Sequence, residues 1–187
     1  MYVRFSVISY CTSAATRVIF FAMAHRRAAR KMNTTLTLST DLGLIVLRLR
    51  RDAAPTTVAH LEKLVEAGLF TGVVFYRSDF VIQTGLQTAD GRGVPNPFPA
   101  LPVNESDLTP RVSNARGTAA FGHWDVPDCG NSDWFINLKA NPHLDTAYGG
   151  YAVFAQVEDA ASFAVVDAIA AAVVAGTKTG VSAMALS

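Results

Sequence analysis

From residue 34 onward the apolar positions switch between two periods, and the switches mark the elements. "TTLTLST" (34–40) sets Leu36 and Leu38 between threonines, the period of two expected of a strand with one buried face. Asp41, Leu42 and Gly43 supply turn chemistry. "LIVLRLRR" then places Ile45, Leu47 and Leu49 on one face and Arg48 and Arg50 on the other, so the two runs predict a β-hairpin. In "DAAPTTVAHLEKLVEAG" the spacing becomes helical, with Val58, Leu61, Leu64 and Val65 in one stripe. Pro55 suits a first helical position, where its missing N–H leaves no bond unmade, and Gly68 stands where the helix should end. His60 lies beside the stripe and reads as a packing or surface histidine rather than a ligand.

Two apolar runs follow, "GVVFY" and "FVIQTG", and predict further strands with Arg77 in the short loop between them. The stretch 88–110 is rich in Gly, Pro, Asn and Asp and reads as loop; its "GRGVPNP" has neither the glycine spacing nor the helix start of a phosphate loop. "GTAAFGH", "DWFINL" and "YAVFAQV" predict three more strands. "DAASFAVVDAIAAAV" predicts a second helix, with Asp159 as N-cap and Phe163, Val166 and Ile169 facing inward. Many strands and two well-separated helices point to a mainly β fold: a closed barrel, which leaves no strand edge exposed, with its ends capped by the helices.

Composition changes this picture in one place. Half of the 187 residues are apolar, enough for the core of one domain, and the net charge is only +1. Six of the sixteen basic residues (Arg4, Arg17, Arg26, Arg27, Arg30 and Lys31) fall in the first 31 positions, which hold no acid. The remainder carries ten basic and fifteen acidic residues, net −5, with no clustered Lys and Arg to follow a phosphate backbone, so nucleic acid is not an expected partner. The basic leader, 1–32, fits either an organelle transit peptide or sequence upstream of a true start at Met32. The first implies a mitochondrial location and the second a cytoplasmic one. A secretory signal fits less well, because the basic residues follow the apolar run. That run, Val18 to Ala24, falls short of the ~20 residues needed to span a bilayer. Cys11 and Cys129 imply no disulfide framework, and His123, Cys129 and His143 lack zinc-site spacing, so neither metal nor cofactor is expected.

Three segments together resemble the cyclophilin family of peptidyl-prolyl cis-trans isomerases. "FYRSDFVIQTG" is similar to the family's F-H-R-V-x-P-G-F-M-I-Q-G-G. "NARGTAAFGHWDVPDCGNSDWFINL" resembles R-G-T-I-A-M-A followed by S-Q-F-F-I-N, and "LDTAYGGYAVFAQV" matches L-D followed by G-Y-A-V-F-G-x-V. The opening hairpin and the first helix stand where the family places its own, so the resemblance covers residues 34–181. It implies an eight-stranded antiparallel barrel capped by two α-helices, and an enzyme that accelerates X–Pro isomerisation during protein folding without a cofactor.

The resemblance also assigns residues. Arg77, from F-x-R, is the expected catalytic donor to the prolyl nitrogen. Phe80, Val81, Phe135 and Leu144 match the apolar proline pocket, and Gln83 matches the residue that holds substrate backbone and orients the arginine. Gly122 and His123 match the edge along which the peptide extends, and Tyr151 a further pocket-lining position. Asp133 stands in place of the family's glutamine, unable to donate to a substrate carbonyl but placed to attract Arg77. His143 replaces the usual Trp or Phe, which implies only weak cyclosporin binding. Ser78 and Asp79 replace a longer V-x-P-G turn, so Arg77 must reach the pocket from a tight loop within reach of Asp79. The implied partners are proline-containing segments of client proteins; because one barrel accounts for the apolar stripes, a monomer is expected. A chaperone or scaffold domain that binds such segments without efficient turnover is the alternative that the short loop and Asp133 keep open.

Overall fold

The computed structural model describes residues 34–187; the basic leader and the start at Met32 lie outside the described residues. The alternating run builds the expected hairpin. Strand β1 (Thr35–Thr40) pairs antiparallel with β2 (Gly43–Leu49), with Leu36 opposite Leu47 and Leu38 opposite Ile45. All four side chains are fully buried, while Arg48 on the other face meets Glu158 at 2.8 Å.

Helix α1 (Pro55–Glu66) buries Val58, Leu61, Leu64 and Val65 in the core, and Gly68, at φ 69°, follows its end. Its start has a feature that local sequence does not show. Ala54 at the N-cap has no side-chain acceptor. The missing acceptor comes from the long loop, where Glu105 receives the N–H of Thr56 (2.9 Å), the N–H of Thr57 (2.7 Å) and the Thr57 hydroxyl (2.8 Å). A carboxylate at a helix N-terminus both satisfies orphan donors and meets the positive end of the helix dipole.

The next strands are β3 (Val73–Ser78), β4 (Val81–Thr88), β5 (Thr118–Phe121), β6 (Trp134–Asn137) and β7 (Val153–Val157). After them come helix α2 (Ala160–Val174), capped by Asp159 through the Ser162 N–H at 2.7 Å, and β8 (Thr179–Leu186). They close into an antiparallel barrel in the order β1-β2-β7-β5-β6-β4-β3-β8. Two boundaries correct the sequence pattern. Arg77 is a residue of β3, not of a loop, because β3 and β4 form a tight hairpin in which Ser78 pairs with Ile82. Strand β8 has no clear alternation, since only Thr179 and Val181 of it are buried; pairing to β1 on one side and β3 on the other makes it a strand.

Both helices contribute to one core, Val166 and Ile169 coming from α2, with Phe163 half-buried at its margin. At the centre the Trp134 ring meets Phe70, Phe75 and Phe154 edge-on, with centroids 6.4, 6.4 and 5.8 Å away. Its Nε1–H has no hydrogen-bond partner, a cost of about 1–3 kcal/mol that burial of so large a ring offsets.

His60 is buried, its Nε2 2.6 Å from the Asn131 carbonyl oxygen and its ring edge-on to Phe121. Burial holds the imidazole below its ordinary pKa of 6.5; the bond to Asn131 opposes this, and the Lys63 charge adds to it. The unfolded chain therefore takes up the proton more readily, so this contribution to stability is present above pH 6.5 and is lost as pH falls below it. Between about pH 7.5 and 5.5 the unaltered chain should lose more melting temperature than His60→Gln, as scanning calorimetry would show; parallel curves would remove His60 as the cause.

Candidate active site

The site begins with an irregularity of the β3–β4 hairpin. Phe75 pairs with Thr84 and Arg77 with Gln83, so β3 advances two residues while β4 advances one. Such a bulge re-aims side chains, and here Tyr76 and Arg77 both reach Gln83. Arg77 is held on two sides. Its Nε and Nη2 donate to Asp79 Oδ2 at 2.8 and 2.6 Å, and its Nη1 donates to Gln83 Oε1 at 2.9 Å. The guanidinium carbon lies 5.4 Å from the Phe80 ring centroid. Asp79 is itself fixed by the turn, its Oδ1 accepting the Val81 N–H at 3.1 Å.

Beside the guanidinium lies an apolar cluster separate from the barrel core. Val81, Ala120, Phe135 and Leu144 are buried in it, and Phe80 and Tyr151 pack on it half-exposed. Strand alternation makes the division: Trp134 faces the barrel interior, and its neighbour Phe135, opposite both Gln83 and Ala120, faces this cluster. The Tyr151 ring stands edge-on to Phe135 (5.7 Å), and the exposed His143 edge-on to Phe80 (5.5 Å). His123 stacks on Tyr151 at 4.1 Å, with Nε2 2.9 Å from the Gly150 carbonyl oxygen. Next to it, Gly122 donates its N–H to the Asp133 carbonyl at 2.7 Å.

Buried amides hold the rim. Asn141 donates to Asn137 Oδ1 (2.8 Å) and to the Phe80 carbonyl (3.2 Å), and Asn137 donates on to Asn114 Oδ1 (3.1 Å). Asn114 in turn reaches Asp145 Oδ1 and the Tyr151 carbonyl, both at 3.0 Å. Burial works to raise the Asp145 pKa, but donors from Ser113 and Asn114, with the Arg111 charge, outweigh it and hold the carboxyl below its ordinary value. Gly150 is required here: at φ +85° a Cβ would stand 2.7 Å from the Asp145 carbonyl oxygen.

The residues expected from sequence therefore occupy one surface: Arg77 and Gln83 beside the Phe80, Val81, Phe135 and Leu144 cluster, with Gly122, His123, His143 and Tyr151 around it. Asp133 is the exception in its partner. It accepts from the Tyr76 hydroxyl at 2.5 Å rather than attracting Arg77, whose charge Asp79 already balances. Tyr76 and Ala120 were not legible as site residues. The tyrosine's only signal was that it stands where F-H-R has histidine, and alanine's was none. Tyr76 and Asp133 also line a cavity of about 410 Å³ with Gln87 and Asn96. Among the described residues no three His, Cys, Asp or Glu side chains gather as a metal site.

Comparisons with known proteins agree on one family. The family model described as "Cyclophilin type peptidyl-prolyl cis-trans isomerase/CLD" matches residues 35–185. A peptidyl-prolyl cis-trans isomerase of Streptomyces antibioticus is 37% identical over 156 residues, 80% of this chain and 87% of its own. One from Acinetobacter baylyi is 32% identical over 130 residues, covering 67% and 66%. Among solved structures, a cyclophilin from Hirschia baltica superposes with a TM-score of 0.67 at 14% identity, over 82% of this chain and 74% of that one. A cyclophilin-type isomerase of Cryptosporidium parvum, crystallised in the presence of the dipeptide Ala-Pro, gives 0.64 at 16% identity, over 82% and 98%.

Proposed function

This chain belongs to the cyclophilin-type peptidyl-prolyl cis-trans isomerase family, and we propose that Arg77 is the donor with which it isomerises X–Pro bonds. The amide resists twisting because resonance gives its C–N bond partial double-bond character, a barrier of ~18–20 kcal/mol. Twisting frees the lone pair of the prolyl nitrogen, and a donor aimed there stabilises the twisted state more than either planar one. No covalent bond breaks, so neither nucleophile nor metal is needed.

The observation that carries the proposal is the fixed guanidinium beside the apolar cluster. Of its five N–H groups, Asp79 takes two and Gln83 one, which leaves one on each terminal nitrogen for substrate. The pair with Asp79 therefore orients the arginine without consuming it. Shortening a ~100 s event to about a millisecond takes five decades, roughly 7 kcal/mol. One charge-assisted hydrogen bond supplies about 1.5–3 kcal/mol. The rest must come from a preorganised pocket; the buried cluster of Val81, Phe135 and Leu144 supports a seat for the proline ring there, with Gly122 and Gln83 as the assigned contacts for peptide backbone.

The test is a protease-coupled assay on an Ala-Pro peptide, the dipeptide present with the Cryptosporidium structure. Phe135→Ala should lower kcat/KM about 10–100-fold, as loss of a buried ring from the substrate site implies. An unchanged value would remove the proline from this cluster. Cyclosporin should inhibit weakly, because His143 offers a small, exposed ring where the family has Trp or Phe; nanomolar inhibition in the same assay would contradict that.

A further inference from the structure

We propose that Tyr76 and Asp133 are positioning residues that act through Gln83 to hold Arg77. This rests on Arg77 being the donor. Four side chains form one line of hydrogen bonds: Arg77 Nη1 donates to Gln83 Oε1 (2.9 Å), Gln83 Nε2 donates to the Tyr76 oxygen (2.8 Å), and the Tyr76 hydroxyl donates to Asp133 Oδ1 (2.5 Å). Every bond points the same way, from the guanidinium to the carboxylate.

That direction has a chemical cause at its far end. A carboxylate only accepts, so the Tyr76 proton is committed to Asp133 and the phenol oxygen is left to accept from Gln83. An amide that donates through Nε2 on one side must turn Oε1 to the other, toward Arg77. Without Asp133, the Tyr76 hydroxyl is free to donate to Oε1 of a turned amide, which would set Nε2 against the guanidinium, donor against donor. The carboxylate thus selects the amide orientation that Arg77 needs. Bonds arranged head to tail also polarise one another.

The backbone is shaped for this line. The β3 bulge brings two consecutive side chains to Gln83. Gly85 leaves the space that Asp133 fills: a Cβ there would stand 2.2 Å from Asp133 Oδ1. Burial first, and then the bond to Asp133 and its charge, push the Tyr76 hydroxyl well above the ordinary phenol range, so it remains a donor wherever the enzyme works.

The experiment measures kcat and KM on an Ala-Pro peptide for Tyr76→Phe, Asp133→Asn and Arg77→Ala and for Tyr76→Phe in the Arg77→Ala background, with nitrogen-15 spectra of the arginine side chains. Tyr76→Phe should lower kcat about tenfold, the scale of one neutral hydrogen bond, and leave KM within about twofold. It should move the Arg77 side-chain resonances toward those of a free guanidinium. Asp133→Asn should change both readouts in the same direction, and it serves as the test should Tyr76→Phe not fold. In the Arg77→Ala background, Tyr76→Phe should cost less than about twofold, because the group it acts through is gone. If Arg77→Ala is impaired but Tyr76→Phe and Asp133→Asn keep kcat and the Arg77 resonances, the positioning role is overturned and the role of Arg77 stands. An equal loss with and without Arg77 also overturns it. A fully active Arg77→Ala overturns both.

Discussion

An Arg77→Ala variant isomerises an Ala-Pro peptide about 10²–10³-fold less efficiently, in kcat/KM, than the unaltered chain, the loss typical of removing one preorganised donor from a transition state. Its melting temperature stays within about 4 °C, because an exposed ion pair contributes about 0–1 kcal/mol and a domain of this size shifts 2–4 °C per kcal/mol. The Arg77 and Asp79 side chains are 44% and 41% exposed, so water replaces what the variant removes. The apolar cluster is untouched, so affinity for a proline peptide, measured by titration calorimetry, changes less than turnover does. Arg77→Lys recovers little. An ammonium is a point donor on a flexible stem; it lacks the planar fork that meets Asp79 through two N–H groups and Gln83 through a third, so no N–H is held aimed at the nitrogen. Turnover within twofold of the unaltered chain in Arg77→Ala would end the assignment. Equal turnover in both, at the uncatalysed rate and with peptide still bound, would mean that this member binds proline segments without catalysis.

The largest loss of stability outside the apolar core is expected from Glu105→Ala. Glu105 is 5% exposed, and its carboxylate accepts from two backbone N–H groups and one hydroxyl at the start of α1. Deleting it leaves buried donors on Thr57, itself 1% exposed, at a place where Ala54 offers no cap. Leaving such donors unmet costs about 1–3 kcal/mol and losing a cap about 0.5–2 kcal/mol, so a combined loss of about 2–4 kcal/mol is expected. That is roughly 5–15 °C of melting temperature. Glu105→Gln keeps one accepting oxygen and should lose about half as much. Denaturant unfolding gives the comparison directly, and a loss below about 0.5 kcal/mol in Glu105→Ala would show that water takes over the cap. Because Asn104, the preceding residue, donates to the Gly150 carbonyl (2.7 Å) and Gly150 also receives His123, weakening of this anchor should reach the rim of the site.

The period of two in residues 34–40 and the helical stripe from Val58 to Val65 were enough to place β1 and α1, because each element buries one face and its own spacing records which. Asp159 and Gly68 marked helix ends for the same local reason. Family motifs located Arg77, Gln83 and Phe135 along the chain. The closing strand β8 was not legible, since edge closure rather than burial makes it a strand. Nor was the Glu105 cap, which joins positions 48 residues apart. Asp133 could be seen only as an altered residue; its partner depended on a bulge that turns Tyr76 to Gln83 and on the space above Gly85. By itself the sequence determined the elements whose spacing records a buried face, and the site residues that stand within family motifs. For donors and acceptors far apart in the chain, the tertiary structure alone decided the partner, because periodicity is a property of neighbours in the chain, whereas such partnership is set by strand register and by distances of a few ångströms.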